Sequence, residues 1–243
     1  MQVLIVIPAR LASTRLPNKM LLSETGMTLL EHTYRAAERC TTANKVIIAA
    51  DSRKVEEAAK AFGGNVCMTD PNHPSGTDRV AEVSGRYPEF DMIVNLQGDE
   101  PEIDPELIDA AVKKLIDSPE ASVSTVAVPI VDPEQISNPA CVKLVMDCNG
   151  LALYFSRSPI PFIRNSESGV SHWQHVGLYV FRRDFLLRFS DLAPSALEKC
   201  ESLEQLRVLE NGLKIAVATA KNAPKGIDTI EDYQAFVNRQ RTC

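Results

Sequence analysis

Apolar and polar positions follow two rhythms along this chain, and each change of rhythm marks a new element. Val3–Ile7 is an unbroken aliphatic run that meets Pro8, the pattern of a strand buried on both faces. Thr28–Arg39 changes to helical spacing, with Leu29, Leu30, Thr33, Ala36 and Ala37 on one side. Lys45–Ala50 reads as a strand again and ends at Asp51. Ser52 then offers its hydroxyl as N-cap of a helix through Ala61, stopped by Gly63-Gly64. The same reading predicts strands at Val66–Met68, Met92–Leu96 and Ser122–Val128, separated by helices at Thr77–Tyr87 and Pro105–Ile116.

Strands alternating with helices imply βαβ units with right-handed crossovers. The fold class is therefore α/β, a mainly parallel sheet with helices on both faces. The second half changes character. Cys141–Asp147 and Ala152–Ser156 flank Cys148-Asn149-Gly150, a hairpin turn, and His175–Phe181 is a further strand. Helices follow at Arg183–Phe189 and Leu203–Leu209, then a strand at Lys214–Ala218 and a terminal helix at Ile230–Arg241. With no repeat and no low-complexity linker, the expectation is a single domain over 1–243 carrying an inserted antiparallel layer.

Composition narrows the function classes. The 243 residues carry a net charge of −6, which argues against a general nucleic-acid binder. The six cysteines include no C-x-x-C pair, so a zinc site is not expected, and reduced thiols in the cytoplasm are. Val3–Ile7 is too short for a signal peptide, and no apolar stretch approaches the roughly 18 residues of a membrane span.

Candidate chemistry gathers where strands end. The loop after the first strand collects Arg10, Arg15 and Lys19, three cations that suit a polyphosphate beyond the carboxyl end of a parallel strand. The loop lacks both G-x-G-x-x-G and G-x-x-x-x-G-K-[ST], so it supports neither a dinucleotide fold nor a P-loop. Pro8 and Ala9 are small enough for a ligand to come close. Gln97-Gly98-Asp99-Glu100-Pro101 sets Asp99 just past another strand, in the position of a Mg²⁺ ligand. Asp228 or Thr229 caps the last helix; beyond capping, Asp228 is a second carboxylate that could complete a metal site with Asp99. Ser75-Gly76 opens a helix with N–H groups suited to an anion or a ribose. In the second half Arg157, Arg164, His175, Tyr179, Glu204, Gln205 and Arg207 offer cations for a carboxylate and hydrogen-bonding groups for a polyol.

IPARLASTRLPNK, CMTDPNHPSGTDRVAE, IVNLQGDEP, VKLVMD with ALYFSRSPIP, HVGLYVFR, LEQLRVLENG and GIDTIEDY span the chain nearly end to end. In these segments the chain resembles the 3-deoxy-manno-octulosonate cytidylyltransferases, a branch of the nucleotide-diphospho-sugar transferases. The resemblance implies the Rossmann-like fold of that family, with residues 1–130 mainly nucleotide-binding and 131–243 mainly sugar-binding and dimerising. It implies transfer of CMP from CTP to the anomeric hydroxyl of 3-deoxy-D-manno-octulosonate (Kdo), with Mg²⁺, in a homodimer that serves lipopolysaccharide synthesis. By the same resemblance Pro8, Ala9, Arg10, Ser75, Gly76 and Gln97 hold the cytidine, and Arg10, Arg15 and Lys19 neutralise the phosphates. Asp99 and Asp228 ligate the metal, and Arg157, Arg164, His175, Tyr179, Glu204 and Gln205 line the sugar pocket. The chain departs from the family at Asn18, where Gly is usual, and at Ile163, where a polar residue is common. Activation of another acidic sugar (8-amino-Kdo or a sialic acid) and a non-catalytic nucleotide-sugar sensor stand as alternatives.

Overall fold

The buried strand β1 (Val3–Ala9) is the centre of the first of two compact units. The computed structural model describes residues 1–12 and 16–242. One unit is Met1–Asp109 with Pro224–Cys243, and the other is Ala110–Ala223.

In the first unit β1 is followed by α1 (Leu29–Glu38), β2 (Lys45–Ala50), α2 (Arg53–Ala61), β3 (Val66–Met68), α3 (Gly76–Arg86) and β4 (Met92–Asn95). All pairings are parallel and the order is β3-β2-β1-β4, with Ala9 opposite Ala50 and Val6 opposite Asn95. β1 runs two residues past the expected end at Ile7. Pro8 lacks an N–H, but pairing continues beyond it because the Ala9 carbonyl accepts from Asp51 N at 3.3 Å. Side-chain caps start the helices: Ser52 accepts from Val55 N as the sequence predicts, and Thr28 accepts from Glu31 N and Ser75 from Asp78 N.

The boundary between units falls inside α4 (Pro105–Asp117), after Asp109. The second unit continues with β5 (Val123–Pro129), α5 (Pro133–Ser137), β6 (Lys143–Met146), β7 (Ala152–Ser156), β8 (Trp173–Arg182), α6 (Arg183–Phe189), α7 (Ala196–Glu201), α8 (Gln205–Glu210) and β9 (Ile215–Thr219). β5 pairs antiparallel with β8 and parallel with β9; β6 and β7 form the expected hairpin, and β6 also pairs antiparallel with β8. The hairpin turns because Asp147 Oδ1 accepts from both Asn149 N and Leu151 N, while Gly150 takes φ +74°. Hydrophobic spacing does not reveal α5 and α7. Their signals are polar: Asp132 ahead of Pro133, and a capping box between Ser195 and Glu198.

α9 (Ile230–Thr242) returns to the first unit. Its Tyr233, Phe236 and Val237 bury against Leu16, Leu29 and Ile227. Each fully buried side chain of this size contributes about 1.5–3 kcal/mol. Tyr233 is tied further by accepting from Glu24 N at 2.9 Å. Among the described residues, no helix is long and apolar enough to cross a membrane.

Candidate active site

After β1 the chain passes through α1 to β2 on one side, and later places β4 on the other. Open α/β sheets bind ligands at such a reversal, outside the carboxyl ends of the strands. The loops leaving β1 and β4 there hold the residues singled out above. Gly98 is buried between them: a Cβ on it would lie 2.9 Å from Met20 Sδ and 3.3 Å from the Pro8 carbonyl oxygen, so Met20 would have to shift to admit a side chain. A Cβ on Gly76, at the start of α3, would lie 3.7 Å from Pro8 Cγ and 3.9 Å from the Gln97 amide. The structure thus brings Pro8, Gly76 and Gln97 to one spot. Arg10 Nη2 donates to the His73 carbonyl at 3.3 Å, anchoring the cationic loop to the segment before α3. The Ser75 hydroxyl is committed to its cap, accepting from Asp78 N and donating to Asp78 Oδ2 at 2.7 Å. Arg15 lies outside the described residues.

Lys19 is 7 % exposed. Asn18 before it adopts φ 53°, ψ 29°, the left-handed region that Asn reaches more readily than other non-glycine residues. Lys19 Nζ donates to Asp99 Oδ2 at 2.5 Å and to the Ile227 carbonyl at 2.8 Å, and lies 3.4 Å from Asp228 Oδ1. Asp99 and Asp228, far apart in sequence, therefore converge on one cation. The cap of α9 is Thr229 rather than Asp228. The Thr229 hydroxyl accepts from Asp232 N, and Asp232 accepts in return from Thr229 N and Asp228 N. The segments that carry Asp99 and Asp228 are joined by Ile227 N donating to the Asp99 carbonyl at 2.9 Å. Glu100 lies behind the pair: a Cβ on Gly226 would come within 2.7 Å of its Oε1, and its Oε2 has no hydrogen-bond partner among the described residues. Burial, and then the charges of Asp99 and Asp228, push the Glu100 carboxyl up to about 8 against the opposing pull of Lys19.

Three residues here have a place in the site that the sequence did not assign them. Asp51, at the end of β2, accepts Leu11 N on both carboxylate oxygens at 3.0 and 3.1 Å, and so fixes the start of the cationic loop. His73 supplies the carbonyl that holds Arg10 and is itself gripped by Glu82 at 2.6 Å. Arg79 is fully buried, donates from Nη1 to Thr69 Oγ1, and has Nε and Nη2 without partners among the described residues. Burial lowers its pKa, with Asp51 acting in the opposite sense. Two of the three carried a signal: Asp51 ends a strand beside the first loop, and Arg79 lies in the first turn of a helix that opens on the site.

The second unit gathers most of the remaining candidates around β8. Between Thr125 and Val126 of β5, the partner on β8 jumps from Tyr179 to Val176. This bulge puts the rings of His175 and Tyr179 at 5.3 Å, although four residues of regular strand would separate them by about 13 Å. The buried Thr125 hydroxyl stitches the bulge, with Leu178 O at 2.7 Å and His175 Nε2 at 2.9 Å. Burial takes the His175 imidazole down to about 3 and raises the Tyr179 phenol well above its ordinary range, the Glu204 charge adding to the latter. Both rings are therefore neutral hydrogen-bonding groups. Gln205, at the start of α8, is 6 % exposed and its Nε2 has no partner among the described residues. The Arg157 guanidinium donates to the carbonyls of Glu201 at 2.7 Å, Pro139 at 2.9 Å and Ser202 at 3.3 Å. Arg164 is exposed. Arg207 serves structure, pairing with Glu198 and lying over the Phe189 ring.

The model of the family described as "Cytidylyltransferase" matches residues 4–215. The 3-deoxy-manno-octulosonate cytidylyltransferase of Rhodopirellula baltica is 44 % identical over 98 % of this chain and 98 % of its own length. That of Solibacter usitatus is 48 % identical over 96 % and 92 %. A solved structure of CMP:2-keto-3-deoxy-manno-octonic acid synthetase complexed with CTP superposes with a TM-score of 0.95 at 39 % identity, covering 100 % of this chain and 99 % of that one.

Proposed function

Since the chain belongs to the cytidylyltransferase family, within its 3-deoxy-manno-octulosonate branch, we propose that it transfers CMP from CTP to the anomeric hydroxyl of Kdo, releasing pyrophosphate. The observation that carries this reading is the meeting of Asp99 and Asp228 beside a cationic loop, at the strand reversal where open α/β sheets bind ligands.

Pro8, Ala9, Gly76 and Gln97 surround the cytidine, and Ser75 acts through its cap by keeping the first turn of α3 in place. Arg10, Arg15 and Lys19 neutralise the triphosphate and the departing pyrophosphate. The sugar hydroxyl attacks the α-phosphorus directly. Catalysis is then positioning and charge stabilisation, with no covalent intermediate on the protein.

Asp99 and Asp228 would hold a Mg²⁺ ion. The donor set suits it: hard oxygen ligands only, already arranged around a cation. Among the described residues no group of three or more His, Cys, Asp or Glu side chains is built to hold a metal, so water and phosphate oxygens would complete the shell. When bound, the ion supplies positive charge where negative charge builds on the phosphates.

In the second unit Gln205 Nε2, without a partner among the described residues, donates to a sugar hydroxyl. His175 and Tyr179 add neutral donors and acceptors, and Glu204 adds an acceptor. Arg157 and Arg164 face the sugar carboxylate; for Arg157, three carbonyls hold the guanidinium and use three of its five N–H donors. The reading extends to a cytoplasmic homodimer that feeds lipopolysaccharide synthesis. Exposed apolar side chains of the second unit support the dimer: Val131 at 86 %, Phe162 at 88 % and Leu153 at 61 %.

Pyrophosphate release from purified protein with Mg²⁺ tests the reading. Release should require both CTP and Kdo, and ATP, GTP and UTP should not replace CTP. A folded protein that releases none with any nucleotide would refute it.

A further inference from the structure

Lys19 has two claims on it. The proposed reaction asks its ammonium to neutralise phosphate, whereas the structure commits it elsewhere: Nζ donates to Asp99 Oδ2 and Ile227 O and lies 3.4 Å from Asp228 Oδ1. An ammonium has three donors and no acceptor, so these three oxygens use all of it. It stands where a metal held by the same two carboxylates would stand. The commitment is built in. Asn18 takes a left-handed conformation immediately before Lys19, and the Lys19 side chain is only 8 % exposed. Met20 packs behind it against Gly98.

We propose that Lys19 is the internal counter-ion of the metal site: with no nucleotide bound it occupies the cation position between Asp99 and Asp228 and excludes divalent metal. A triphosphate offers the ammonium new oxygen partners. Lys19 then leaves the two carboxylates, and the metal enters with the nucleotide rather than before it. Two purposes are served. The carboxylates, held close together next to half-buried Glu100, are never left facing each other without a cation, and the site does not fill with metal in a form unable to react. The proposal rests on the reading of Asp99 and Asp228 as the metal pair.

The test is Mn²⁺ binding to nucleotide-free protein, read from the electron paramagnetic resonance signal of the free ion. Removing a unit charge that lies 2.5 Å and 3.4 Å from the two carboxylate oxygens should tighten Mn²⁺ binding about tenfold in Lys19→Met. Lys19→Arg, which keeps the charge, should bind no more tightly than the wild type. Lys19→Gln replaces the methionine variant should that one not fold. The tightening should vanish when Asp99→Asn is added. Equal affinity in the wild type and Lys19→Met, lost in both with Asp99→Asn, would overturn the competition while leaving the metal pair standing. Binding indifferent to Asp99→Asn would overturn both.

Discussion

The Asp109 carboxylate accepts from Cys40 Sγ and from the backbone N–H and hydroxyl groups of Thr41 and Thr42. Burial opposes its charge, but these donors outweigh burial and hold its pKa far below the ordinary carboxylate range. A depressed pKa adds stability that is present above the unfolded value, about 3.9, and lost as pH falls toward the folded one. Asp109→Asn should therefore cost about 1.5–3 kcal/mol by urea unfolding near neutral pH, and the gap to wild type should close in acid. Asp99→Asn is a different case, since its carboxylate is committed to a cation. We expect turnover to be abolished with circular dichroism unchanged; retained rate would remove Asp99 from the metal site. Gln205→Leu separates the two kinds of role in one side chain. It removes a buried amide whose Nε2 has no partner among the described residues, so the melting temperature should hold or rise, while KM for the sugar should increase at least tenfold and KM for CTP should not.

Elements were legible where local chemistry is sufficient. Lys45–Ala50 and Val66–Met68 are strands with the predicted bounds, and Ser52 caps α2 through the predicted hydroxyl. β-branched runs, helical spacing and cap residues act over a few residues, so they are written in sequence order. The β8 bulge was not legible. It exists because β5 and β8 pair in two registers on either side of Thr125, a fact of long-range pairing. The cap of α9 lies between these cases: the sequence allowed Asp228 or Thr229, and the reciprocal bonds to Asp232 select Thr229. Thr229→Ala should cost about 1 kcal/mol of stability in thermal unfolding. It should also raise the metal concentration needed for half-maximal rate, because the turn that presents Asp228 loosens.

For the whole molecule, the two units carry different parts of the proposed chemistry, the first the phosphates and metal and the second the acidic sugar. CTP with Mg²⁺ should therefore raise the melting temperature on its own in proportion to the logarithm of ligand concentration. In analytical ultracentrifugation the protein should sediment as a dimer, and Leu153→Lys with Phe162→Ser should shift it to monomer; an unchanged dimer would place the interface elsewhere. By itself the sequence determined the α/β class, most strands and helices, the family, and which loops carry charge, because hydrophobic period, caps and motif spacing are local properties. Tertiary structure alone decided that Asp99 and Asp228 share one lysine, that Asp51 and His73 hold the cationic loop, and that His175 meets Tyr179. The Lys19 contact joins residues more than two hundred positions apart, and it forms only because α9 packs its aromatic face back onto the core of the first unit.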